Sequence, residues 1–242
     1  MVAFSPGGTL LATGGGDGTV RLWNPATGQP VGKTLHASAQ NGGVHALAFG
    51  PGGALLAIGS GDGTVRLWNP ATGRLVATLQ THTSPNGGVW GVAFRPSGTL
   101  LAIGCGDGTV RLWNPDTRRP VATLHATTSS VYGVHAVAFS PSSTLLATGE
   151  ADGTVRAWNP ATSQPVGAPF PTGNGPAGSV NVLAFSPGGR LLASGGDDGT
   201  VRLWQASLFA HAYPALCADV GPPTPQEWNH YASGEPQPKV CA

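Results

Sequence analysis

Residues 16–28 read GDGTVRLWNPATG, and the same thirteen letters return unchanged at residues 61–73. Their inner part, DGTVR, begins at Asp17, Asp62, Asp107, Asp152 and Asp198, in steps of 45, 45, 45 and 46. Trp23, Trp68, Trp113, Trp158 and Trp204 keep those steps, and so do Phe4, Phe49, Phe94, Phe139 and Phe185. Self-similarity at such a period marks a repeat architecture, in which one supersecondary unit is copied because it cannot bury its own apolar surface. The extra residue falls between Trp158 and Val180, in a loop, so the strands stay in register.

Within one period, residues 44–79, four short runs stand between turn signals. VHALAFG stops at Pro51-Gly52-Gly53, and ALLAIGS stops at Gly61-Asp62-Gly63. TVRLWN is β-branched and aromatic with period 2, Asn69 to Gly73 turns the chain, and RLVATL is the fourth run. Four strands with tight turns make an antiparallel meander. No stretch of the repeats carries 3.6-residue spacing for three turns. Val65 and Leu67 point to one face and Trp68 to the other, so each meander is apolar on both sides and must stack face to face on its neighbours. Radial repetition of four-stranded sheets satisfies that demand.

Composition agrees. Only 10% of the 242 residues are charged, the net charge is +1, and glycine (38) with proline (22) makes about a quarter of the chain at fixed places in the repeat, as turns. No basic stripe is present to hold a phosphate backbone, so nucleic acid is not an expected partner. No apolar run approaches ~18 residues and no charged-then-apolar leader follows Met1, so the reading is no membrane partner and a cytoplasmic location. Abundant Ala, Gly and Pro with Arg preferred to Lys hint at a bacterial source. Cys105, Cys217 and Cys241 have the wrong number and spacing for a disulfide framework or a metal cluster; pairing of Cys217 with Cys241 around the tail stays open.

The pattern V-x-x-[LV]-A-F-x-P, L-L-A-x-G, D-G-T-V-R-L-W-N resembles the WD40-repeat β-propeller family over residues 1 to about 205, with Asn in place of the usual final Asp. The resemblance implies an all-β propeller of four-stranded antiparallel blades, approximately 1–35, 44–80, 89–125, 134–170 and 180–205. It also implies a hydrogen-bonded tetrad of turn Asp, second-strand Ser or Thr, third-strand Trp and a His before the first strand. By position, the Asp is kept at 17, 62, 107, 152 and 198 and the Trp at 23, 68, 113, 158 and 204. The second-strand position holds Thr13, Thr148 and Ser194, but Ile58 and Ile103 in the middle copies have no hydroxyl. Of the histidines, His82 alone sits where the motif expects one; His36 and His125 come two positions early. The first copy begins part-way through, Met1 matching Ala46. Either five blades close through the tail or the chain is part of a larger propeller, and an open arc would expose a stacking face and favour self-association.

Residues 206–242 leave the period. SLFAHAYPALC can supply a closing strand or cover an end, and Thr224, Pro225 and Glu227 form a capping box for a short helix near 225–232, with Trp228 and Tyr231 on one face. This tail resembles the C-terminal cap of bacterial propellers appended to signalling ATPases, kinases or peptidases.

Chemistry finds little support. Five of the Asp residues are turn residues, Glu occurs at 150, 227 and 235, and HExxH, GxSxG and DxDxDG are absent. The literal GxGxxG at Gly173 to Gly178 lies between strands rather than between a strand and a helix, which does not fit dinucleotide binding. The reading is therefore a non-enzymatic scaffold with no catalytic residue, no metal site and no cofactor, whose partner is a protein or peptide. The alternative is a regulatory propeller fragment of a larger enzyme; a propeller hydrolase would need channel carboxylates that this composition scarcely provides. Invariant positions read as structural. Variation collects just after the first-strand Val, at His45, Trp90, His135 and Asn181, the candidate partner-binding residues.

Overall fold

The computed structural model describes residues 1–37, 42–81, 88–126, 133–172 and 178–206. The expected closing strand, the helix near 225–232, Cys217, Cys241 and His82 lie outside these residues, as does most of the Gly173–Gly178 stretch. Five antiparallel sheets follow one another. The first is β1 (Val2–Phe4), β2 (Leu11–Gly14), β3 (Thr19–Trp23) and β4 (Pro30–His36); the second is β5 (Val44–Phe49), β6 (Leu56–Ser60), β7 (Thr64–Asn69) and β8 (Arg74–Gln80). The third is β9 (Val89–Phe94), β10 (Leu101–Cys105), β11 (Thr109–Asn114) and β12 (Arg119–His125). In the fourth, β13 (Val134–Phe139), β14 (Leu146–Glu150) and β15 (Thr154–Asn159) carry a broken outer strand, β16 (Gln164–Pro165) and β17 (Phe170–Pro171), both paired with β15. Pro165 keeps the register of Pro30 and Pro120 in the unbroken strands, but one residue more separates it from Phe170 than separates Pro120 from Leu124, and Pro169 in that interval has no ladder donor, so the continuous run of the other copies is interrupted. The fifth has β18 (Val180–Phe185), β19 (Leu191–Gly196) and β20 (Val201–Gln205) among the described residues.

The repeated DGT closes each β-hairpin between the second and third strands. Asp62 Oδ1 accepts from the Thr64 amide at 2.9 Å and the Thr64 hydroxyl at 2.7 Å, and the same pair of bonds joins Asp17 to Thr19, Asp107 to Thr109, Asp152 to Thr154 and Asp198 to Thr200. The glycine between them has a positive φ, from 72° at Gly199 to 81° at Gly153, a conformation that costs an L side chain strain. Asp, Gly and Thr are thus one device. Asn at the next turn works similarly: Asn114 Oδ1 accepts from the amides of Asp116 at 3.0 Å and Thr117 at 2.8 Å.

The cores lie between sheets. Ala57, Val65, Leu67 and Leu79 on the leading face of the second sheet pack against Ile103, Leu101, Phe94, Val92 and Trp113 on the trailing face of the third. Equivalent clusters join the first sheet to the second, the third to the fourth and the fourth to the fifth. Burying a Val or Leu is worth ~1.5–3 kcal/mol, so these interfaces dominate the stability. Each is made close by a second-strand glycine: a methyl placed on Gly104 would lie 2.9 Å from the Val134 carbonyl oxygen.

The innermost strands β1, β5, β9, β13 and β18 pack in that order, and no comparable packing joins β18 back to β1 among the described residues. Among the described residues no sheet packs on the outer face at either end. Val2 and Phe4 are 71% and 61% exposed, and Val201 and Leu203 are 75% and 67% exposed.

Candidate partner-binding site

Trp68, Trp113, Trp158 and Trp204 pack into the interface behind their sheets while Trp23 lies on the open trailing face of the first, and the indole nitrogens divide the five. Trp23 Nε1 donates to Thr13 at 2.8 Å, Trp158 to Thr148 at 3.1 Å and Trp204 to Ser194 at 2.9 Å. Trp68 and Trp113 face Ile58 and Ile103, and their buried Nε1 atoms have no partner among the described residues. His36 and His125 are exposed at the ends of β4 and β12. The repeated arginine shares the tryptophan face: Arg202 reaches Asp198 at 2.7 Å and Arg111 reaches Asp107 at 3.6 Å. In the fourth sheet Arg156 instead bonds Glu150 at 2.9 Å, and Thr148 and Thr154 donate to the same carboxylate. Burial pushes the Glu150 carboxyl up, opposed by the bonds from Arg156 and Thr154. Burial likewise pushes the Cys105 thiol up to about 11, so it fills space and is a poor nucleophile. These positions hold the fold together.

The positions that do not repeat come together elsewhere. His45, Trp90, His135 and Asn181 are each the second residue of an innermost strand, and each is passed over by the ladder. Val44 pairs with Ser60 and Ala46 with Gly59, leaving His45 as the extra residue of a β-bulge. Trp90, His135 and Asn181 are skipped in the same way in β9, β13 and β18. A bulge re-aims the side chain it carries. Because the four strands lie side by side, the re-aimed side chains form one row.

The row is continuous. The His45 and Trp90 rings stack with centroids 4.4 Å apart and planes 18° apart, and Trp90 meets His135 at 5.4 Å, tilted by 40°. His135 Nδ1 is 3.1 Å from Asn181 Oδ1, and Asn181 Nδ2 donates to the Asp197 carboxylate. His45 is half-buried, which lowers its pKa through desolvation, and its buried Nδ1 lacks a partner among the described residues. Its imidazole is therefore neutral near pH 7. Trp90 is 41% exposed, a large apolar ring in contact with solvent. Gly61 and Gly88 stand beside the rings, and a methyl on Gly61 would come within 3.1 Å of the His45 ring. With Met1, Gly14, Gly16 and Val44, the row lines an open hollow of about 410 Å³ where the innermost strands begin.

Such a row offers an aromatic face, two imidazoles and an amide–carboxylate end. Among the described residues no hydroxyl or thiol is hydrogen-bonded to either imidazole, and the indole stands between the two histidines. Among the described residues no group of three or more His, Cys, Asp or Glu is placed to hold a metal ion. A larger hollow, about 660 Å³, lies between turns of the fourth and fifth sheets, lined by Ser140, Ser142, Thr144, Leu145, Leu191 and Gln205, with Arg190 its one charged group among the described residues. Asp197 was not among the sequence candidates. The signal existed: the other copies have Gly16, Gly61, Gly106 and Ala151 there, so it too fails to repeat.

A family model described as WD domain, G-beta repeat, matches five times, at residues 1–24, 29–69, 73–114, 118–159 and 168–205. The chain belongs to the WD40-repeat family. The matched segments follow the hairpins, turns and tryptophans described above, so the resemblance in the sequence and the five antiparallel sheets agree. Comparison with curated proteins finds no match. WD repeats are generally protein-interaction modules and typically non-catalytic. Within this WD-repeat chain, the fold positions are the ones that recur, and the bulge row consists of those that do not.

Proposed function

We propose that this WD-repeat chain is a non-enzymatic platform that grips a protein or peptide partner on the row His45, Trp90, His135 and Asn181. One observation carries the reading: four bulges in consecutive innermost strands turn two imidazoles, an indole and an amide onto one line at the mouth of a hollow. The first residue of each strand is a buried Val, and each strand ends in Ala-Phe. A rigid aromatic anchor with polar neighbours is the composition that concentrates binding energy at protein interfaces. Replacing Trp90 and His135 together by Ala should abolish capture of proteins retained by the immobilised wild type, with the melting temperature unchanged. Capture that persists in the double variant would overturn the site.

A second reading draws on the uncovered apolar faces at the two ends of the array. In it, the chain is a regulatory part of a larger bacterial signalling enzyme, an ATPase, kinase or peptidase, whose further repeats cover those faces. In-frame repeats in the coding sequence upstream of Met1 would support it, and an immediate stop codon there would count against it. Self-association through the same faces is argued next.

A further inference from the structure

The chain contains four examples of one interface and half of it again at each end. On leading faces, Val20, Val65, Val110 and Val155 are all fully buried, and the fifth copy of that valine, Val201, is 75% exposed. Leu22, Leu67, Leu112 and Ala157 are buried beside them, while Leu203 is open to solvent, as is Val182 on the innermost strand. The second-strand glycine tells the same story. A methyl on Gly149 would lie 2.6 Å from Val180 of the next sheet, whereas around Gly195 the nearest atoms are at 4.0 Å and belong to Thr200 and Val201 of its own sheet. The fifth sheet thus keeps a cradle shaped for a neighbour. On the trailing side, Leu47 and Phe49 pack into the first interface, and their counterparts Val2 and Phe4 in the first sheet are exposed, with no sheet behind them among the described residues.

We infer that these two faces are a head-to-tail interface, in which Val182, Val201 and Leu203 of one copy receive Val2, Phe4 and Trp23 of a second copy. At the internal interfaces the corresponding valine and leucine meet the phenylalanine and tryptophan of the next sheet in the same strands, as Val65 and Leu67 meet Phe94 and Trp113, whereas the valine that fills the glycine cradle there has no counterpart in the first sheet, whose Met1 aligns with Ala46. Charge does not oppose it, since the repeats carry few charges and the chain's net charge is +1. Such a contact is heterologous, so it adds copies until a ring closes or a chain extends. It is separate from the bulge row, and either inference can fail alone.

The test uses the full 242-residue chain, with mass measured by light scattering across a dilution series. Wild type should pass from one protomer mass to two or more as concentration rises. Val201→Asp with Leu203→Asp should be monomeric throughout, and so should Val2→Asp with Phe4→Asp; these side chains are exposed in the single chain, so circular dichroism should be unchanged. Mixing the two variants restores one intact pair of faces and should give a dimer. Hydrogen exchange on wild type keeps the inference testable should a variant misfold: amides of β20 should gain protection with concentration. A monomer at every concentration, with β20 open or already protected by the chain's own residues 207–242, overturns the inference. Association that both double variants leave intact also overturns it.

Discussion

The third and fifth sheets contain the same DGTVRLW and place it in opposite surroundings. In β11 the valine and leucine are sealed against the fourth sheet; in β20 they face solvent. Local structure is nonetheless identical, from the Asp–Thr bonds to the positive φ of the intervening glycine. The hairpin therefore forms from its own turn chemistry, and the neighbouring sheet supplies burial rather than shape. What differs between the two is energy.

The largest effect should come from Leu112→Ala, which empties a filled interface and should cost ~2–5 kcal/mol in urea unfolding. Leu203→Ala, measured at dilution, should stay within ~0.5 kcal/mol of wild type. Equal costs would mean that the fifth sheet's face is covered in the single chain. Next, Gly104→Ala forces a methyl against the Val134 carbonyl and should cost ~1–3 kcal/mol, while Gly195→Ala should be close to neutral by thermal melting. A smaller contrast separates tryptophans. Trp158→Phe removes a bond to a buried hydroxyl and should cost ~1 kcal/mol more than Trp113→Phe, which removes an indole N–H that had no partner among the described residues.

The smallest effect lies at the exposed end and depends on pH. The Arg202 hydrogen bond, then those from Thr200, hold the Asp198 carboxyl down to about 2 against an ordinary 3.8. Its folded value is the lower one, so the stabilisation is full above the ordinary value and is lost as pH falls from about 4 through about 2. Acid titrations of stability should therefore be flatter for Asp198→Asn than for wild type over that window.

Most of the fold was legible because turn chemistry and strand alternation are local. Asp-Gly with a positive φ, Asn before a turn, and Val and Leu opposite Trp all follow from a few neighbouring letters. The missing hydroxyls at Ile58 and Ile103 were legible too, and the structure leaves the facing indoles without partners. The broken outer strand of the fourth sheet was less so, because the extra residue of that repeat was read as lying in a loop and instead falls with Pro169 between Pro165 and Phe170, inside the outer strand. In the candidate site, residue identity came from failure to repeat, and the same test applied one strand later would have reached Asp197.

By itself the sequence determined five copies of one meander, the two faces of each, and which positions were free to vary. These rest on interactions within about ten residues. The tertiary structure decided that the varied positions are bulges, that four of them meet in one row, and that an identical valine is buried four times and exposed once. Those facts depend on which strands lie side by side and on whether a sheet has a neighbour. The letters of a single repeat are the same in either case.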